Sequence, residues 1–145
     1  MILPDVNVLI YAFRADSECH EKYSDWLTTV VGGAEELALH DAVLTGLARI
    51  VTNPRIIAEP APISAVLRFV NRLLTAPRAT WLSSSAVVWR EFERLGNNDR
   101  AVKGNLVPDA YLAALAITHK AELATADRGF ARFTGLKWFD PGADT

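Results

Sequence analysis

Short apolar runs alternate along the chain with longer segments in which apolar residues recur at helical spacing. The short runs predict strands at residues 2–4, 37–39 and 79–82, around Leu123, and at 137–139. The longer segments predict helices at 8–13, 41–52, 63–74, 86–95 and 108–119, with at most one helical turn at 129–133. A further helix is predicted to start between residues 17 and 21 and to end at residue 30. Glycine and proline separate the elements, and residues 96–105 predict a polar loop.

This order of elements predicts a protein of the α/β class. Strands separated by helices imply right-handed crossover connections and a small, mainly parallel sheet. The 145 residues are enough for one core, and the chain has no internal repeat, linker or low-complexity tract. We therefore expect a single domain over residues 1–145.

Composition indicates an ordinary globular protein, with 50% hydrophobic and 22% charged residues. Cys19 is the only cysteine, which excludes an internal disulfide and favours a reducing compartment. The amino-terminal apolar run lacks a basic leader and contains Asp5, and no uncharged stretch approaches the roughly 20 residues that span a bilayer. We expect a soluble, cytoplasmic protein with no membrane partner.

Four aspartates stand where predicted strands end or predicted helices begin. Asp5 and Asp127 follow the strands at 2–4 and Leu123, whereas Asp41 and Asp109 open helices. In a parallel α/β sheet these strand and helix ends meet at one edge, so we expect the four carboxylates to share a pocket. Clustered carboxylates repel one another unless they bind a cation, and oxygen ligands favour Mg²⁺, with Mn²⁺ as the other candidate.

Each of these polar residues also has a purely structural interpretation. Asp41 suits an N-cap, Asp109 suits the positive end of a helix dipole, and Asp127 suits a turn. Asp5 is harder to explain in this way, because an unpaired carboxylate in apolar surroundings is costly. Asn7 is expected either to orient a neighbouring carboxylate or a water, or to cap the helix that follows it.

The net charge of −2 does not exclude a nucleic-acid substrate. The four aspartates belong to 17 acidic residues, so 13 acids remain against 15 bases and the rest of the surface is slightly cationic. We expect four basic residues near the acidic pocket either to contact an RNA backbone or to remain solvated. They are Arg100, Lys103, Arg128 and Arg132.

Four blocks of the sequence resemble PIN-domain ribonucleases, in family order from the first strand to near the end of the chain. The blocks are DVNVLIYA at 5–12, RIVTNPR at 49–55, GNLVPDAYLAA at 104–114 and TADRGFARF at 125–133. They look most like the VapC toxins of type II toxin–antitoxin pairs.

The resemblance implies a three-layer α/β/α sandwich, a Mg²⁺ site, homodimers and an antitoxin of the VapB type. Asp5, Asp109 and Asp127 match the acids of the family and so would be its metal ligands. Many PIN proteins carry a glutamate where this chain has Gly46. We predict that Asp41, at the head of the same helix, replaces that glutamate as a fourth catalytic acid.

The leading hypothesis is a Mg²⁺-dependent endoribonuclease. Asp5 and Asp109 would hold the ion, and Asp127 and Asp41 would complete its shell through water. A metal-activated water would then leave 5′-phosphate and 3′-hydroxyl ends. The alternatives are a catalytically weak module that binds RNA or protein, or a phosphatase-type enzyme, although Asn7 stands where a phosphatase of the Asp-x-Asp type needs its second acid.

The resemblance also implies that the antitoxin's carboxyl-terminal segment lies near the active site and blocks it. Trp26, Val30 and Val31 are expected either to line the groove for that segment or to belong to the core.

Overall fold

A five-stranded, entirely parallel sheet runs through the protein. A computed structural model describes residues 1–144. The strands are β1 (Ile2–Pro4), β2 (Leu37–Leu39), β3 (Ala79–Trp81), β4 (Glu122–Ala124) and β5 (Trp138–Phe139), in the spatial order β3-β2-β1-β4-β5. Pro4 aligns with Ala124, so β1 and β4 end side by side at the centre of the sheet.

Six α-helices and one short 3₁₀ helix accompany the sheet. They are α1 (Val6–Phe13), α2 (His20–Val31), α3 (Asp41–Val51), α4 (Ile63–Leu74), α5 (Ala86–Asn98), α6 (Leu106–Thr118) and the 3₁₀ helix Arg128–Arg132. Helices α1 to α4 pack as one group and α5 packs against α6, which gives a three-layer α/β/α sandwich. The predicted fold class is confirmed, and the sheet is parallel throughout rather than mainly so.

The core forms where the helices cover the sheet. Leu3, Leu37 and Leu123 from adjacent strands are essentially buried. Helix α6 contributes small side chains, since four of its alanines are fully buried: Ala110, Ala113, Ala114 and Ala116. Small residues let α6 approach the core closely and bring its amino end, with Asp109, to the edge where β1 and β4 end. No helix among residues 1–144 is long and apolar enough to span a bilayer.

Several predicted boundaries were wrong by a few residues. Helix α1 begins at Val6 rather than residue 8, because the Asp5 side chain caps it. Helix α5 continues through Gly96 to Asn98, and the polar loop begins only at Asp99. Helix α6 begins at Leu106, so Pro108 lies within its first turn, where the missing N–H would have had no helical partner.

Candidate active site

Asp5 is held rigidly at the end of β1. Its backbone N–H donates to the carbonyl of Ala124 at 2.8 Å, which ties it to the neighbouring strand. The residue is only 8% exposed. Its side chain accepts two hydrogen bonds, from the Val6 N–H to Oδ1 at 2.7 Å and from the Thr125 hydroxyl to Oδ2 at 2.8 Å. Asp5 is therefore a buried carboxylate whose two oxygens are both fixed in position.

Thr125 links this carboxylate to the end of β4. Its Oγ1 accepts from the Asp127 N–H at 3.0 Å and from Asn7 Nδ2 at 3.4 Å. The Asn7 Oδ1 in turn accepts from the Ala126 N–H at 3.3 Å. Among residues 1–144, the partners of the Asn7 side chain are thus Thr125 and Ala126 rather than an acid. Sequence reasoning missed Thr125, although a lone hydroxyl between Ala124 and Ala126, two residues before Asp127, was the available signal.

Asp127 forms a tight turn at the start of the 3₁₀ helix. Its Oδ1 accepts from the Gly129 N–H at 2.8 Å, which confirms the turn interpretation of this residue. A Cβ on Gly129 would lie only 2.9 Å from the same oxygen, so a larger residue here would displace the Asp127 carboxylate. The carboxylate is exposed. Asp127 thus combines a structural turn with a solvent-facing negative charge.

Asp109 lies in the first turn of α6 and is half-buried. Burial and the charges of Asp5 and Asp127 raise its pKa to about 6, in that order of importance. The pKa of Asp5 is also raised by burial, against the lowering effect of its hydrogen bonds from Thr125 and Val6, and the charge of Asp127 raises it further. The three predicted acids are therefore close enough to repel one another.

The three acids have no basic partner in the part of the chain that the structure describes. Each ion pair found there uses other residues. Negative charge accumulates without compensation at the edge of the sheet, and a cation would relieve it.

The donor set fits a hydrated, hard cation. Within residues 1–144, no three acidic, histidine or cysteine side chains converge closely enough to bind one ion directly. Mg²⁺ commonly binds one or two carboxylates and keeps several waters, so it does not require such a cluster. Carboxylate oxygens also favour Mg²⁺ or Mn²⁺ over zinc. Asp5, Asp109 and Asp127 could hold such an ion partly through water.

The structure does not bring Asp41 together with these three acids. Asp41 is the first residue of α3, its side chain is exposed, and its charge acts on His40 rather than on Asp5 or Asp109. The alternative N-cap interpretation of Asp41 was wrong. His40 is the N-cap, because its backbone is still extended while that of Asp41 is already helical, and its Nδ1 accepts from the Ala42 N–H at 3.1 Å.

The predicted basic residues lie on two segments that an ion pair joins. Arg132 Nε donates to Asp99 Oδ2 at 2.7 Å, and this contact lowers the pKa of Asp99. The pair ties the loop between α5 and α6, which carries Arg100 and Lys103, to the 3₁₀ helix, which begins at Arg128. Arg100, Lys103 and Arg128 are exposed.

A groove of about 360 Å³ with both apolar and polar lining residues lies between α1, α2 and α4. Phe13, Val31 and Phe69 contribute to its wall, together with Arg72. We call it the α1–α2–α4 groove. Trp26, Val30 and Val31 were expected to line a groove or to belong to the core. Val31 lines this groove, and Val30 belongs to the core. Trp26 packs edge-on against Phe139, with 6.0 Å between the ring centroids.

Comparison with known proteins identifies the family. Residues 2–136 match the PIN domain model. The chain belongs to the PIN-domain family. It is 42% identical over 141 residues to the ribonuclease VapC43 of Mycobacterium tuberculosis, a match that covers 97% of this chain and 95% of that protein. The predicted resemblance to VapC proteins is confirmed.

Solved structures confirm the PIN fold. The complex VapBC2 of Rickettsia felis, bound to a DNA fragment of its promoter, contains a chain that matches with a TM-score of 0.71 at 20% identity, over 97% of this chain and 98% of that one. VapC20 of M. tuberculosis, a toxin that cleaves the sarcin–ricin loop, matches with a TM-score of 0.65 at 15% identity, over 94% of this chain and 99% of its own.

Proposed function

We propose that this protein is a Mg²⁺-dependent endoribonuclease, the toxin of a toxin–antitoxin pair, built as one PIN domain and active in the cytoplasm. The observation that carries the proposal is a group of three mutually repelling carboxylates at the edge of the sheet, which have no basic partner among residues 1–144. The ribonuclease name of a relative 42% identical over 97% of the chain supports the choice of RNA as substrate.

Asp5 and Asp109 would hold Mg²⁺, or Mn²⁺ in its place, and Asp127 would complete the shell through water. When bound, the ion supplies an activated water and neutralises charge at the scissile phosphate. The chain itself holds Asp5 in place through Val6 and Thr125, and Asn7 supports Thr125. That Asp41 replaces the missing glutamate stays a prediction, and the exposure of Asp41 weighs against it.

Exposed basic residues would position the RNA. Arg100, Lys103 and Arg128 are free to approach phosphates, whereas Arg132 already binds Asp99 and would contribute mainly by holding the two segments together. Water would attack the phosphorus in line with the bond to the 3′-oxygen, and that bond would break, so no 2′-hydroxyl of the RNA takes part. The products would then carry 5′-phosphate and 3′-hydroxyl ends.

The decisive experiment is cleavage of total cellular RNA by the purified protein with Mg²⁺, with EDTA, and with the variant Asp5→Asn. We expect discrete fragments with 5′-phosphate ends that require both the metal and Asp5. Fragments ending in a 2′,3′-cyclic phosphate would contradict the proposed chemistry, because that product requires attack by the RNA's own 2′-hydroxyl.

Gly46 favours a second candidate, a PIN module that binds RNA or protein with little catalysis, since the glutamate common in the family is absent here. Expression in cells separates the two candidates. If Asp5→Asn remains as toxic as the wild type, binding rather than cleavage causes the toxicity.

The proposed protein partner is an antitoxin of the VapB type, and the proposed assembly also contains a homodimer of this chain. Solved structures of similar fold come from VapBC complexes. The α1–α2–α4 groove combines apolar side chains with the cationic Arg72. We expect Val31→Asp to weaken antitoxin binding at least about tenfold, while Val87→Asp, on exposed α5, leaves it unchanged. Equal affinity of both variants for the antitoxin would exclude the groove as its binding site. Light scattering of the purified protein would test the homodimer.

A further inference from the structure

Thr125 is a fully buried hydroxyl beside the proposed metal site. Burying a hydroxyl is unfavourable unless its hydrogen bonds are satisfied. Valine would fill nearly the same volume without that requirement. The hydroxyl therefore needs a reason beyond packing, and its partners supply one.

The hydrogen bonds that Thr125 accepts leave only one direction for its hydroxyl proton. A hydroxyl has one donor and two acceptor positions. The Asp127 N–H and the Asn7 side-chain amide occupy both acceptor positions, at 3.0 and 3.4 Å. The single proton consequently points to Asp5 Oδ2 at 2.8 Å.

Asn7 is itself fixed in orientation. Its Oδ1 accepts from the Ala126 N–H, a backbone group that can only donate. The Asn7 Nδ2 must then face Thr125 as a donor. The amide thus prevents the hydroxyl from rotating away from Asp5.

One side chain in this way reaches two of the three acids. Thr125 fixes one carboxylate oxygen of Asp5 and anchors the backbone N–H of Asp127. We propose that Thr125 is a positioning residue of the divalent-cation site, whose hydroxyl orients Asp5 and holds Asp127 so that both can share one hydrated ion with Asp109. This inference rests on the proposed function, because it assumes that these acids bind a metal.

The test measures Mn²⁺ affinity by isothermal titration calorimetry on the full-length chain, at a temperature where circular dichroism shows every variant folded. Thr125→Val keeps the shape and removes the hydroxyl, while Thr125→Ser keeps the hydroxyl. We expect at least about tenfold weaker binding for the valine variant, the range typical of lost groups that orient a ligand, and affinity within about threefold of the wild type for the serine variant.

Two further variants make the result specific. Val88→Ala removes buried volume on α5 and has no hydrogen bond to the site, so it controls for a general loss of packing and should bind Mn²⁺ normally. Wild-type affinity in Thr125→Val, or equal weakness of the serine and valine variants, would overturn the role of the hydroxyl. If the wild type binds Mn²⁺ no better than Asp5→Asn, the metal site itself fails, and the proposed function fails together with this inference.

Discussion

Gly46 in α3 faces Val6, the residue that follows Asp5. A Cβ placed on Gly46 would lie 3.1 Å from Val6 Cγ2. Residue 46, where many PIN proteins carry glutamate, therefore points toward the first residue of α1, the helix that Asp5 caps. Asp41 lies five residues earlier and, at 100° per residue, well away from this face of the helix.

Gly46→Glu should add a fourth carboxylate near the metal site. We expect tighter Mn²⁺ binding than in Gly46→Gln, because only the glutamate contributes charge, while both side chains meet Val6 equally. Without metal, repulsion between the glutamate at position 46 and the other carboxylates should make the glutamate variant less stable than the glutamine variant. Calorimetry and thermal unfolding measure the two effects, and identical results for both variants would place residue 46 too far from Asp5.

Asp41→Asn tests the predicted substitute for the glutamate. Because Asp41 is exposed and acts on His40 rather than on the other acids, we expect RNA cleavage within about twofold of the wild type, against a loss of at least about 100-fold for Asp5→Asn. A small loss of stability is expected from a missing charge at the amino end of α3. A loss of activity comparable to that of Asp5→Asn would show that Asp41 belongs to the site after all.

The fold was predictable because short apolar runs and helical spacing are local features of the sequence. Element ends were less predictable, since they depend on contacts that form only in the folded state. The Asp5 side chain caps α1 and moves its start to Val6, and His40 takes the cap of α3 that aspartate favours on propensity alone.

In the site, too, some features were predictable from local sequence and others depend on contacts that form only in the folded state. Asp5, Asp109 and Asp127 end strands or open helices, so sheet geometry alone predicted their approach. Thr125 could not be ranked from sequence, because its importance comes from hydrogen bonds to Asp5, 120 positions away, and to Asn7, 118 positions away. The separation of Asp41 from the other acids depends on the rotation of α3 about its axis, which no local pattern specifies.

Asp109→Asn should inactivate the enzyme and yet stabilise the metal-free protein at pH 7.5. The wild-type carboxylate is repelled by Asp5 and Asp127 and is partly desolvated, and asparagine relieves both costs. Partial exposure screens the effect, so we expect a gain of roughly 1 kcal/mol, or a few degrees in melting temperature. A lower melting temperature in EDTA would mean that Asp109 makes favourable contacts in the ionised state.

Lowering the pH should stabilise the metal-free protein through Asp109. Its folded pKa of about 6 lies above the ordinary 3.8, so its contribution to stability is complete below pH 3.8 and is lost as the pH rises through 6. Mg²⁺ competes with the proton, so the stabilisation that it gives should grow from pH 5 to pH 7.5. Thermal unfolding across this range, with Mg²⁺ and with EDTA, measures both trends.

His40 has the opposite effect on stability between pH 5 and pH 7.5, so its contribution must be separated from that of Asp109. Burial lowers the pKa of His40 from 6.5, so its contribution is present above pH 6.5 and is lost as the pH falls through its folded pKa. The difference in melting temperature between wild type and Asp109→Asn cancels this contribution, because both proteins keep His40. In EDTA the melting temperature of the wild type should rise relative to that of the variant as the pH falls from 7.5 to 5. A constant difference would show that the carboxylate does not take up a proton near pH 6, so that neither burial nor the charges of Asp5 and Asp127 raise its pKa to that range.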